Sequence, residues 1–190
     1  MRGICFAGGG IKAAAHIGAL NAFEEEGIEF ECVSGASSGS IIATMYALGY
    51  NSEEMWGIFQ KFASKIKYYQ WRQILKLIGG LIFKREIIID GGVRENLPWR
   101  HLKLIGADEV LGITFNTISN KEDCCSNIIE VATRAMELQG RELSVYEKEG
   151  IDNLITINMK KVSLLDVANA EYLYKMGYEQ VKKQMLKKFI

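Results

Sequence analysis

The stretch Val33-Ser34-Gly35-Ala36-Ser37-Ser38-Gly39-Ser40 decides the fold of this chain. It reads as the end of a strand, a sharp turn that carries one serine, and the start of a helix predicted over 38–48. Glycine stands two residues before and two residues after Ser37, which is the G-x-S-x-G pattern. A nucleophilic serine on a strained strand-to-helix turn needs small neighbours, because the backbone passes too close for a β-carbon. The helix that follows directs the positive end of its dipole toward Ser37.

A glycine loop precedes this turn. Residues 4–7 form a short apolar run, predicted as a buried strand, which breaks into Gly8-Gly9-Gly10. The free amides of such a loop can form an oxyanion hole for a tetrahedral acyl intermediate at Ser37. Lys12 adds a positive charge beside the loop.

Two other interpretations of the glycine loop stay open at this point. The spacing Gly8-x-Gly10-x-x-Ala13 fits the fingerprint of a dinucleotide-binding turn. That fingerprint expects an acidic residue at the end of the second strand, where this chain instead runs into the serine turn. The loop can also be a tight turn that binds nothing.

A nucleophilic serine needs a base, and the chain has only two histidines, His16 and His101. His16 is predicted as a partly buried residue of the first helix. His101 follows Asp90, so the order Ser…Asp…His of a triad is present. The neighbours of His101 are typical of a solvated surface, which makes it a weak candidate.

Asp90 is the stronger candidate for the base. It stands at the end of a predicted strand over 86–89 and is followed by Gly91 and Gly92, which allow another segment to come close. A carboxylate whose basicity is raised by burial can take the proton of Ser37 directly. Taken alone, Asp-Gly is also a common turn signal.

Composition narrows the class of protein. The 190 residues are 48% hydrophobic, enough for a well-filled core, and 23 basic residues balance 23 acidic ones. This neutrality argues against nucleic-acid binding through bulk positive charge. The N-terminal apolar run is too short for a signal peptide, and no run reaches membrane-spanning length, so we expect a cytoplasmic protein. Four cysteines in no metal-binding or disulfide pattern fit that setting.

Strand-like and helix-like patterns alternate along the chain. This alternation predicts an α/β fold with a mostly parallel sheet covered on both faces. Asn51 with Glu54 three residues later resembles a capping box and predicts a helix start. The predicted strands cover 4–7, 30–34, 86–89, 110–115 and 154–159, and the predicted helices cover 12–26, 38–48, a segment from 51, 126–148 and 165–188.

Residues 55–85 form a basic and aromatic segment, with seven Lys and Arg and no acidic residue. Such a composition suits an anionic, apolar interface, and therefore peripheral contact with a membrane surface. It is equally typical of helices with buried aromatics and solvated lysines. The same segment could also supply a lid or an acyl-binding pocket.

Three motifs in this order, Gly8-Gly9-Gly10-x-Lys12, Gly35-x-Ser37-x-Gly39 and Asp90-Gly91-Gly92, resemble the patatin-like phospholipase family. Asn96-Leu97-Pro98, Ala107-Asp108 and the segment 166–178 also resemble it, so the match covers nearly the whole chain as one domain, 1–190. One departure is Ala13, where the family usually has glycine.

The resemblance implies a three-layer α/β/α sandwich with a mostly parallel central sheet, like the catalytic domain of cytosolic phospholipase A2. It implies a Ser37–Asp90 dyad, an oxyanion hole at Gly8, Gly9 and Gly10, and hydrolysis of acyl esters, typically lipids, with no metal or other cofactor. The alternatives are a non-catalytic lipid- or protein-binding member of the same scaffold, or a Ser-Asp-His esterase.

Overall fold

The computed structural model describes residues 1–66, 81–83, 86–88, 95–118, 131, 138, 142, 145–160, 162 and 166–188. Most of the helix predicted over 126–148 lies outside these residues, although 131, 138, 142 and 145–147 are helical. Asp90, Gly91, Gly92 and the adjacent cysteines at 124 and 125 also lie outside them.

A parallel sheet forms the centre of the fold. It has the order β2-β1-β5-β6, with every neighbouring pair parallel. A second, two-stranded antiparallel sheet pairs β3 with β4, and no strand was predicted at β3, which lies inside the basic and aromatic segment 55–85. The strands are β1 Arg2–Phe6, β2 Cys32–Gly35, β3 Leu81–Phe83, β4 Glu86–Ile88, β5 Glu109–Ile118 and β6 Asn153–Lys160.

Five helices with described bounds accompany these strands: α1 Ala13–Glu25, α2 Ser38–Ala47, α3 Ser52–Ile66, α4 Arg100–Leu104 and α5 Ala170–Lys188. Short 3-10 helices at Gly10–Lys12 and Val167–Asn169 lead into α1 and α5. The capping box at the start of α3 is confirmed. Glu54 N–H donates to Asn51 Oδ1 at 2.8 Å, and Asn51 N–H donates to Glu54 Oε2 at 3.0 Å.

Both faces of the sheet are covered, as the alternation predicts. Side chains of β1 alternate between two cores, so Ile4 and Phe6 pack with α1 and α5, whereas Cys5 packs with α4 and the segment before it. Because α4 lies close to β1, a β-carbon on Gly3 would come within 3.0 Å of Leu102. Cys5 is buried and its thiol is free, so it packs as a small hydrophobic side chain.

The prediction of membrane contact by residues 55–85 falls partly outside the described residues, which in this segment are 55–66 and 81–83. In the described part, α3 leaves Ile58 and Phe62 exposed. Among the described helices, none has both the length and the apolarity needed to cross a bilayer. Peripheral membrane contact therefore stays a prediction.

Candidate active site

The glycine loop and the serine turn leave the same edge of the sheet. β1 and β2 are parallel and in register, with Phe6 opposite Gly35, so the segments that follow their carboxyl ends start side by side. Ala36 N–H donates to Phe6 O at 3.1 Å, which joins the two segments just beyond the strands. Two of the three motifs predicted to act together are thus neighbours in space, and the third, at Asp90, lies outside the described residues.

Ser37 occupies a strained turn at the start of α2. Its dihedrals are φ 47° and ψ −122°, and among the described residues it is the only non-glycine with a positive φ. Such a backbone costs about 1–3 kcal/mol and persists where the surrounding structure enforces it. Ser37 is half-buried, and it caps the N-terminus of α2, where unpaired amides and the helix dipole favour negative charge.

Close backbone contacts require the two glycines of the serine motif. A β-carbon on Gly39 would lie 2.4 Å from Phe6 O and 2.7 Å from Ala7 O. A β-carbon on Gly35 would lie 2.4 Å from Gly39 O. Because all three atoms belong to the backbone, no side-chain movement can relieve these clashes. The spacing of G-x-S-x-G therefore follows from how tightly the turn is folded against β1.

The glycine loop lies against Ser37. A β-carbon on Gly8 would be 3.2 Å from Ser37 Cβ. Gly8 N–H donates to Asn96 O at 3.2 Å, and Gly9 N–H donates to Ser38 Oγ at 3.2 Å. Gly10 has φ 57°, and no acceptor for its N–H is found within the described part of the chain. The loop is thus tied to α2 on one side and to the segment 95–99 on the other.

Lys12 and Ala13 follow the loop. Lys12 is buried, 8% exposed, and its backbone N–H donates to Gly9 O at 3.1 Å. Ala13 has right-handed helical dihedrals, φ −52° and ψ −28°, which any L-residue adopts without strain. The alanine that departs from the usual family pattern therefore imposes no backbone strain on the loop.

Neither histidine has the surroundings of a catalytic base. His16 is completely buried, which corrects the prediction of partial burial: its ring packs between Phe6 and Phe115, and Nε2–H donates to Ala7 O at 2.8 Å. Burial lowers the pKa of His16 to about 4, so it is neutral near pH 7. His101 lies on the surface, as predicted, with Nε2 3.2 Å from a Glu95 oxygen and its side chain 66% exposed.

Glu147 is a buried carboxyl that the sequence did not single out. It is 5% exposed, and Oε1 accepts the N–H of Asn96 at 2.6 Å. Burial raises the pKa of Glu147, and the nearby Glu95 acts in the same direction, whereas the backbone N–H of Asn96 opposes the shift. Nothing in the sequence around residue 147 distinguishes it from the exposed acidic residues nearby.

Comparison with known proteins shows which family the segment with the glycine loop and the serine turn is similar to. Residues 4–88 match the family model described as patatin-like phospholipase. Lysophospholipase NTE1 of Meyerozyma guilliermondii is 35% identical over 75 residues, or 40% of this chain and 5% of that protein. The lysophospholipase NTE1 of Saccharomyces cerevisiae is 35% identical over 75 residues, which are 4% of its length. The chain thus matches only a small part of these relatives. Residues 4–88, which carry the glycine loop and the Ser37 turn and end before Asp90, are therefore similar to the patatin-like phospholipase family.

Proposed function

We propose that the chain is a serine acyl-ester hydrolase of the phospholipase A type, which acts on lipids through an acyl-enzyme on Ser37. The observation that carries the proposal is the strained Ser37 turn, held at a helix N-terminus and against a glycine loop. The family of residues 4–88 and the relatives named lysophospholipases support a lipid ester as the substrate.

The proposed reaction has two halves. In the first, Ser37 Oγ attacks the ester carbonyl carbon while its proton passes to the Asp90 carboxylate. The tetrahedral intermediate then collapses, the alcohol leaves with that proton, and the acyl group remains on Ser37. In the second, Asp90 takes a proton from water, which attacks the acyl-enzyme. The second tetrahedral intermediate collapses, the fatty acid leaves, and Asp90 returns the proton to Ser37 Oγ.

Backbone amides stabilise the oxyanion in this proposal. Gly8 N–H is already bonded to Asn96 O, so Gly8 acts by fixing the loop. The donors in this proposal are Gly10 N–H and the N–H of Ser38, the first residue of α2, because Gly39 N–H and Ser40 N–H already donate to Ala36 O and Ser37 O. Gly9 N–H, which donates to Ser38 Oγ at 3.2 Å, joins them when the Ser38 side chain rotates away. Removing one such donor typically costs about 100- to 1000-fold in kcat.

A fluorophosphonate probe tests the nucleophile. The probe should form one adduct, located by mass spectrometry on the peptide that contains Ser37. Ser37→Ala should abolish this labelling and lower ester turnover by at least about 1000-fold. Thr44→Ala is the matched control, because Thr44 is an exposed hydroxyl residue of the same helix.

Two outcomes contradict the proposal. Labelling that survives Ser37→Ala would assign the nucleophile to another residue. A folded wild-type protein that binds lipid vesicles but is never labelled would be a non-catalytic member of the family.

A further inference from the structure

The carboxyl of Glu147 is buried beside the candidate active site and only half used. Oε1 accepts the Asn96 N–H, whereas Oε2 is buried with no hydrogen-bond partner in the described part of the chain. The backbone of the same residue also holds this segment, since Trp99 Nε1 donates to Glu147 O at 2.5 Å. Burying a carboxyl with one unpaired oxygen costs free energy, so an apolar residue would fill this place at lower cost.

Asn96, the residue that Glu147 holds, is in direct contact with the glycine loop. Asn96 O accepts the N–H of Gly8, and Asn96 Oδ1 lies 2.7 Å from where a β-carbon on Gly8 would be. Ser37 Cβ lies 3.2 Å from the same point. Gly8 is therefore enclosed between Asn96 and the serine turn, and a displacement of Asn96 moves the loop relative to Ser37.

We propose that Glu147 is a positioning residue, which holds the oxyanion loop at the correct distance from Ser37 through the backbone of Asn96. The inference rests on the proposed function. In the described part of the chain Glu147 makes no hydrogen bond to Ser37; its carboxyl bonds to Asn96, and Asn96 in turn bonds to Gly8 of the loop. Because those amides act on charge that develops only in the transition state, losing their alignment lowers kcat and leaves KM nearly unchanged.

The hydrogen bond from Asn96 N–H to Glu147, and not the charge of Glu147, holds the loop in position. Glu147→Gln keeps an acceptor oxygen at the same reach, so it retains kcat close to that of the wild type. Glu147→Ala removes the acceptor and leaves both the Asn96 N–H and the loop unsupported. A misplacement of about 1 Å at a catalytic site can cost on the order of 100-fold in rate. The expected loss in kcat is therefore about 10- to 100-fold for Glu147→Ala.

The test compares Glu147→Ala and Glu147→Gln with Glu142→Ala, an exposed helical carboxylate five residues earlier. Active sites are titrated with the fluorophosphonate probe, so that kcat and KM on a nitrophenyl ester refer to folded, reactive molecules. Glu147→Ala should lose kcat per active site at constant KM and react more slowly with the probe. Glu147→Gln and Glu142→Ala should match the wild type.

Three results overturn the inference. Equal kcat per active site for Glu147→Ala and Glu142→Ala would reduce Glu147 to a residue that only stabilises the fold. A Glu147→Gln variant as slow as Glu147→Ala would show that charge, not the bond to Asn96, matters. If Glu147→Ala does not fold, Glu147→Asp replaces it, because its carboxylate is one methylene further from Asn96 N–H. A wild-type kcat in Glu147→Asp would then refute the proposal. A wild-type protein that turns over no ester and is never labelled would refute the proposed function itself.

Discussion

His16 shows how one side chain outside the proposed chemistry fixes the start of the glycine loop. It donates to Ala7 O, the carbonyl just before Gly8, and packs against Phe115, whose ring also lies 3.0 Å from where a β-carbon on Gly9 would be. Its other ring nitrogen, Nδ1, is buried and has no partner among the described residues. A proton at Nδ1 would place an unpaired charge in the core, so the loop depends on a neutral His16.

The pH dependence of stability follows from His16. Its pKa is about 4 in the folded state and near the ordinary 6.5 in the unfolded chain. Because the unfolded state binds the proton more tightly, the free energy of unfolding falls as pH drops below 6.5. The loss from this group between about pH 7 and about pH 5 is about 2 kcal/mol. Urea denaturation at the two pH values should show a smaller loss for His16→Gln, which keeps an N–H for Ala7 O.

Thr44→Ala serves as the control for this measurement. Thr44 is exposed and carries no group that titrates in this range, so this variant should keep the pH dependence of the wild type, and the carboxylates that titrate in the same range are common to all three proteins. Equal pH dependence in the wild type and His16→Gln would show that His16 is not the group responsible.

At the residue scale, the features that could be predicted from the sequence are those set by residues close by in the chain. The Ser37 turn could be predicted because its steric demands fall on Gly35 and Gly39, two residues away. The role of Glu147 could not, because its partner Asn96 lies 51 residues earlier in the chain. Whether a carboxylate is exposed or buried against such a partner depends on tertiary packing, which a single sequence does not display.

At the scale of elements, α1 and α5 make an unusually close contact. A β-carbon on Gly18 would lie 2.0 Å from Tyr174 O, and one on Gly177 would lie 1.9 Å from Ala15 O. The two helix backbones therefore touch at these glycines. Gly57 in α3 is the contrasting case, since a β-carbon there meets nothing within 4 Å.

Alanine substitutions at these positions should have opposite effects. Gly18→Ala and Gly177→Ala force the helices apart, and overpacking of this kind typically lowers the free energy of unfolding by about 1–3 kcal/mol. Gly57→Ala replaces glycine inside a helix and should raise it by about 0.5–1 kcal/mol. Urea denaturation measures all three. If Gly18→Ala were as stable as Gly57→Ala, the close approach of α1 and α5 would not be a requirement of the fold.

Element boundaries were predictable where the sequence carries a local signal. The capping box at Asn51 and Glu54 marked the start of α3, and its two hydrogen bonds are present. The short helix α4 was missed, because five residues show too little periodicity to distinguish a helix from a loop. Its position depends on packing against β2 and β5 rather than on its own sequence.

At the scale of the whole molecule, the sheet order brings distant segments to one edge. β1 lies between β2 and β5, so the glycine loop after β1 is flanked by the serine turn and by Phe115 of β5. Alternating strands and helices predicted a parallel sheet but not this order, which depends on contacts between strands far apart in sequence. The proposed base, Asp90, precedes the segment 95–99 that contacts the same loop, and this proximity in sequence supports its assignment.

Which residue acts as the base for Ser37, Asp90 or His101, depends on how the chain is arranged as a whole. His101 is exposed and next to Glu95, whereas Asp90 lies six residues before the Asn96 that contacts the glycine loop. Asp90→Asn should lower kcat on a short-chain nitrophenyl ester by about 100- to 10,000-fold, the usual contribution of a general base. His101→Ala should retain wild-type turnover. Asp108→Asn, the same acid-to-amide change at a side chain 85% exposed, should also be harmless. If His101→Ala abolished turnover and Asp90→Asn did not, a histidine-based triad would replace the dyad.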